Sequence, residues 1–316
     1  MENSQETTII QKKIRREQKY KEYLQKTIIR VPLALFCCLL WGSAFPTIKL
    51  GYALLGIERG DISGQALFAG YRFFLAGAVI FVLYYMKEKS FPKLNKESAT
   101  PVLAIGVVQI GVQYLLFYIG LANMTGTRSA LINACHGFIT IIVAHYLIKA
   151  EPMSWQKTFG CIIGFAGIAA LNIGDTGAAI TLAGDGMIFA ATVIYGIGSV
   201  YVKMVSQKVP PMVMTSYQLL SGGFLLILAG LLTGGSLESF TWKGIMLFGY
   251  LVLLSAVAFS VWNTLIKYNP VGKIAIFGSS IPAFATILSG LMLGEDIFKW
   301  QNLVALIGVR IGRAHV

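Results

Sequence analysis

Residues 31–55 read VPLALFCCLLWGSAFPTIKLGYALL, an apolar run whose one charge is Lys49. At 1.5 Å per residue it spans the ~30 Å hydrocarbon core of a bilayer as a single helix. Within it, Trp41-Gly42 is followed after six residues by Lys49, and Tyr195-Gly196 is followed after six by Lys203, 154 positions later. Asn123-Met124-Thr125-Gly126 matches Asn269-Pro270-Val271-Gly272, and Trp155-Gln156 matches Trp300-Gln301, at shifts of 146 and 145. The chain reads as two related halves, a recurrent plan of membrane transporters, whose substrate sites lie between the halves.

Composition sets the class. Residues are 56% apolar and 13% charged, with mean hydropathy +0.69, and a soluble domain carries roughly twice that charge. Further apolar stretches at 66–86, 101–122, 129–148, 155–173, 179–203, 213–233, 243–266 and 272–293, and one from Trp300, complete ten. The strands of a membrane barrel would instead alternate over ~10 residues. The expectation is an all-α, polytopic bundle of ten transmembrane helices: a basic tail (1–30), a first repeat (31–174) and a second (179–316). Cys37, Cys38, Cys135 and Cys161 all fall in apolar stretches and read as small core residues, with no metal-ligand set.

With the amino terminus inside, twenty Lys and Arg fall on the cytoplasmic side and five on the other, with Lys49 left inside a span. The positive-inside rule then places both termini in the cytoplasm. Five helices per half is an odd number, so the second half starts from the opposite side and the repeats are inverted. Basic loops facing anionic membrane lipids account for the net charge of +12 without a nucleic-acid partner. The tail from Ile9 to Arg30 is either a surface helix with Ile10, Ile14, Lys21, Leu24 and Ile28 on one side, or a disordered basic segment.

Leu40-Trp41-Gly42-Ser43-Ala44-Phe45 with Lys49, then Phe68-Ala69-Gly70-Tyr71-Arg72-Phe73-Phe74, resemble the start of an EamA-type protein of the drug/metabolite transporter superfamily. Gly184-Asp185-Gly186, Ile281-Pro282 and Leu293-Gly294-Glu295 resemble its second half, so the likeness runs nearly from Pro32 to Gly308. It implies a five-plus-five inverted-repeat bundle that moves small organic molecules across the cytoplasmic membrane, here of a bacterium. The chain departs from the family in two places. His136 stands where the family usually has a proline, as Pro282 does in the second repeat, and the tenth apolar run is broken by Arg310, Arg313 and His315. Either that end tilts and its arginines snorkel, or the terminus is altered.

Helical spacing selects the inward faces. Ser129, Asn133, His136 and Thr140 share one face of the fourth helix, Gln109 and Gln113 form a stripe on the third, and Ser260, Asn263, Thr264 and Lys267 one on the eighth. Polar groups in hydrocarbon need partners or water, so these faces outline a central cavity; holding helices together is the competing role. Trp41, Tyr195 and Trp262 could stack on a planar substrate. Lys49 and Arg72, both placed toward the external side, would attract an anionic group such as an amino-acid carboxylate, or else snorkel to the interface. The counterpart of Arg72 is the neutral Gln218. The substrate-binding candidates are Trp41, Lys49, Arg72, Gln109, Gln113, Asn133, His136, Tyr195 and Asn263.

The chain has no P-loop, no His-Glu-x-x-His and no Gly-x-Ser-x-Gly, so no catalytic residue, cofactor or metal is expected. Its acids all lie at helix ends or in loops. Proton coupling would therefore fall to His136, since an imidazole ordinarily titrates near ~6.5. The expected function is transport of a small metabolite (amino acids or related compounds, or drugs) by alternating access, in a monomer or homodimer. The alternative is an intramembrane enzyme acting on a lipid-linked substrate, which would need a carboxylate cluster or metal triad at one membrane face.

Overall fold

The computed structural model describes residues 2–58, 60–123, 129, 132–155, 157–159, 162, 181–237 and 241–293. Among these residues there are helices and no strands. The tail forms α1 (Glu2–Gln25) and turns at the extended Lys26 into α2 (Thr27–Leu55). Leu24 is buried while Ile28 is 77% exposed, so the side predicted for the tail helix does not persist through this turn. α2 ends at Gly56, whose left-handed backbone (φ 69°) lets its N–H reach Tyr52 O.

α3 (Ile62–Glu88) starts four residues before its apolar run, because the Asp61 carboxylate accepts the Gly64 N–H at 2.8 Å and caps the polar first turn. α4 (Lys96–Ile105), a π-helical turn (Gly106–Val112) and α5 (Gln113–Ala122) make one rod. α6 (His136–Leu147) follows a turn at Cys135. The second half contains a π turn (Leu182–Gly186), α7 (Met187–Ser206), α8 (Pro211–Leu232) and α9 (Trp242–Tyr268). It continues with α10 (Val271–Ala275), a 3₁₀ turn (Ile276–Ser280) and α11 (Ile281–Leu293).

Among the described residues, seven segments are long and apolar enough to cross a membrane, against the ten that the whole sequence suggested. The fourth expected span appears, among the described residues, as the apolar helix Ile132–Leu147 with a turn at Cys135; residues 130 and 131 lie outside the described residues. Most of the fifth and all of the tenth lie outside the described residues. Large apolar side chains such as Phe36, Leu39, Val82, Phe224 and Leu253 are exposed on the outer faces, the surface that lipid rather than water solvates.

Packing follows a regular plan. α2 lies against α9 and α11, and α7 against α5 and α6. α3 and α8 run antiparallel in close contact. A Cβ on Gly70 would strike Ile227 and the Gly223 carbonyl, one on Gly77 would strike Ser216 O and Leu220, and one on Gly223 would strike Phe74 N and Gly70 O. Only glycine allows the two backbones to approach this closely.

Candidate functional site

Trp41 stands midway along α2 and Ser255 midway along α9. Because α3 begins at Ile62, Arg72 lies about 15 Å inside its helix, deeper than the helix opening that the apolar run suggested. The guanidinium is buried (2% exposed); its Nε donates to Ser255 Oγ at 2.8 Å, and it lies over the Phe73 ring, 4.8 Å from the centroid. Its charge acts on the phenols of Tyr52, Tyr114 and Tyr118. Rings continue the wall: Tyr114 is 4.5 Å from Phe73, Phe73 is 6.0 Å from Phe259, and Trp41 meets Phe259 and Trp262 at 5.5 and 5.0 Å.

Beyond the Arg72–Ser255 bond, several buried polar atoms here are unsatisfied. Arg72 Nη1, Trp41 Nε1 and Gln113 Oε1 are buried without a partner, and the Tyr52 and Tyr118 hydroxyls face one another without reaching hydrogen-bond geometry. No described acid pairs with Arg72. A buried, unpaired charge costs several kcal/mol, and each neutral orphan about 1–3 kcal/mol, so a native bundle holds such a group only where something offsets it. A ligand with an anionic group would offset the Arg72 charge and take its free N–H.

A second polar group in the core is closed on itself. Gln109 Nε2 donates to Tyr195 O (3.4 Å) and Gln109 Oε1 accepts from Gln218 Nε2 (2.8 Å). Gln218 Oε1 accepts from Asn263 Nδ2 (2.9 Å), which also donates to Thr215 Oγ1 (2.9 Å). No amide atom of this ladder is buried without a partner. Helical spacing had placed Gln109 and Gln113 on one stripe; the structure gives them different partners, Gln109 bonding within the ladder while Gln113 Oε1 is buried without a partner.

His136 and Asn133 meet locally. The imidazole Nδ1 is 2.7 Å from Asn133 O, the ring stands edge-on to Tyr195 at 4.9 Å, and Nε2 fills the space above Gly278 in the 3₁₀ turn. His136 thus forms part of the contact between α6 and the second half. Lys49 is exposed near the end of α2. Its sequence counterpart Lys203 turns inward at the opposite end of the bundle, where Nζ donates to the carbonyls of Ile266, Lys267 and Asn269 at 3.0, 2.9 and 2.7 Å. Among the described residues no three His, Cys, Asp or Glu side chains gather to hold a metal ion.

Ser255, Tyr52 and Glu151 were not singled out from sequence. Ser255 and Tyr52 carry no periodic signal of their own. Glu151 does: it precedes Trp155 by four residues, much as Glu295 precedes Trp300 by five.

Comparison with known proteins agrees with this architecture. The model of the EamA-like transporter family matches residues 28–173 and again 182–311. The chain is 22% identical to the uncharacterized transporter YetK of Bacillus subtilis (strain 168), over 94% of this chain and 92% of that one, and 26% identical to YvbV of the same organism, over 87% of each. It is 22% identical to the S-adenosylmethionine/S-adenosylhomocysteine transporter of Chlamydia muridarum (strain MoPn / Nigg), over 84% and 86%. A crystal structure of a protein 17% identical in sequence has the same fold, with a TM-score of 0.72 over 92% of this chain and 97% of the other. With two matches that together take in most of its length, this multi-pass membrane protein belongs to the EamA-like transporter family.

Proposed function

We propose that the protein carries a small organic metabolite bearing an anionic group, such as an amino acid or a related compound, across the cytoplasmic membrane by alternating access, with Arg72 receiving the anion. One observation carries this reading: a mid-bundle guanidinium with a free N–H, near the unsatisfied hydroxyls of Tyr52 and Tyr118 and walled by aromatic rings. The aromatic wall suits a planar moiety. S-adenosylmethionine, named for the Chlamydia relative, combines a carboxylate with a planar purine and belongs among the compounds to test.

The proposed frame is ten helices in two inverted halves, with residues 31–174 and 179–316 rocking about a site between them and both termini cytoplasmic. The double family match supports it, and so does the α3–α8 seam. At the shift of 146, Gly70 corresponds to Ser216, Phe74 to Leu220 and Gly77 to Gly223. Gly70 meets Gly223 as Gly77 meets Ser216, and Gly223 meets Phe74 as Gly77 meets Leu220. Contacts that recur with the halves exchanged are the mark of two-fold symmetry.

Purified protein in liposomes, offered a labelled panel of amino acids, nucleosides and S-adenosylmethionine, tests the reading. Uptake of an anionic or zwitterionic member that Arg72→Gln abolishes supports it; uptake indifferent to Arg72→Gln refutes it. For the orientation, an impermeant thiol reagent applied to intact cells should label a cysteine at Gly234, in the α8–α9 link, and not one at Lys93, in the α3–α4 link. The reverse pattern refutes the orientation.

A further inference from the structure

We infer that Glu151, Lys203 and α1 together form a lock on the α9–α10 junction, and that this lock must release for the bundle to open at the α1 end. The junction is a break between two helices, where the chain leaves α9 at Tyr268, passes Asn269-Pro270 and enters α10 at Val271. Such a break leaves carbonyls unpaired on one side and amides on the other, and here each set is taken by one buried or half-buried ion. The Lys203 ammonium spends all three of its protons on the carbonyls of Ile266, Lys267 and Asn269. The Glu151 carboxylate accepts the N–H groups of Val271 (2.8 Å) and Gly272 (3.2 Å).

The two ions come from different places. Lys203 ends α7, on the same half as the junction, whereas Glu151 follows α6 and reaches across from the other half. The Glu151 bonds are therefore a tether between halves at the root of the α10–α11 rod, the rod that packs on α2 and sets Gly278 against His136. If the halves part at this end, as alternating access requires of each end in turn, α10 must leave the end of α6 and both bonds break.

α1 closes over the same few residues. Gln25 Nε2 donates to Tyr268 O at 2.8 Å, Asn269 Nδ2 donates to Leu24 O at 3.4 Å, Glu17 pairs with Lys267 at 3.4 Å, and the Tyr20 ring stands edge-on to Tyr268 at 5.6 Å. Between α1 and the junction lies a cavity of about 420 Å³ lined by Lys21, Gln25, Glu151, Lys203, Gln207 and Lys267, among others. It differs from the Arg72 wall in that Gln25, Glu151, Lys203 and Gln207 direct their hydrogen bonds to backbone groups. Its polar lining holds the junction and is not waiting for a ligand.

The test is a labelling rate, which does not depend on the substrate or on Arg72. Ile274 is 0% exposed just beyond the junction, so Ile274→Cys in a chain with its native cysteines replaced by alanine reports opening at this end. In detergent-solubilised full-length protein, Glu151→Gln should raise the maleimide labelling rate on the order of tenfold, as expected when two hydrogen bonds to a charge become weak ones. The triple change Glu17→Lys, Tyr20→Ala and Gln25→Ala, which releases α1 and leaves both ions in place, should raise it about threefold. Labelling at the parent rate in either folded variant overturns the lock. Should Glu151→Gln fail to fold, the triple variant decides alone by the same criterion.

Discussion

Arg72 with Ser255 and Gln218 with Gln109 occupy corresponding positions, since 72 and 218 differ by 146, as do 109 and 255. In both pairs the side chains are hydrogen-bonded at 2.8 Å between two buried helices. Their surroundings differ. Gln218 passes its second bond to Asn263, and the chain of amides ends on Thr215 and a backbone carbonyl. Arg72 has a spare N–H and neighbours that are likewise spare. A polar residue in a membrane core is thus scaffold when its partners are all internal, and a candidate for binding when they are not. Residue type alone would have reversed the assignment of Gln109.

Arg72→Gln should give the largest effect, because it removes the charge on which the difference between the two pairs depends. Losing a charge-assisted contact to the substrate costs about 2–5 kcal/mol, roughly thirtyfold to several thousandfold in affinity, while thermal unfolding stays unchanged or moves upward as a buried charge is relieved. A substrate titration in liposomes and an unfolding scan read the two quantities. A fall in stability with affinity retained would make Arg72 a scaffold residue like Gln218.

Gln218→Leu is the converse. It strands Gln109 Oε1 and one Asn263 proton, costing about 1–3 kcal/mol of stability, with transport per folded molecule kept within about twofold. Loss of transport without loss of stability would place the ladder in the substrate path. Tyr118→Phe should leave stability unchanged, since its hydroxyl is unbonded, and weaken binding about threefold to tenfold, the worth of one ordinary hydrogen bond. Lys49→Gln should change transport by less than about twofold, because Lys49 is exposed where Arg72 is buried. A tenfold loss there would move the anion toward the end of α2.

Seven spans were legible because length and hydropathy alone decide whether a helix can cross a bilayer. Their ends were less so: Ser63-Gly64-Gln65 look like loop until the Asp61 cap is seen, and that error made Arg72 look shallow. The spacing groups Gln109 with Gln113 and does not show that Gln109 is bonded to Gln218 while Gln113 Oε1 stays unpaired. Trp41, Arg72 and Gln113 were nameable from sequence as candidates. That their atoms are unsatisfied was not, because satisfaction depends on partners more than a hundred residues away, as Gln218 is from Gln109. Glu151 looked like a loop acid, and only its reach to Val271 and Gly272 gives it a task.

The glycine seam between α3 and α8 has a thermodynamic consequence. In the proposed alternating-access frame, contacts that recur when the halves are exchanged would present nearly the same surface for a tilt in either direction, so the seam by itself would set little resting bias. That bias has to come from parts of the chain that occur once, and two are present: Arg72, whose counterpart is a glutamine, and α1, which precedes the first half and has no equivalent before the second.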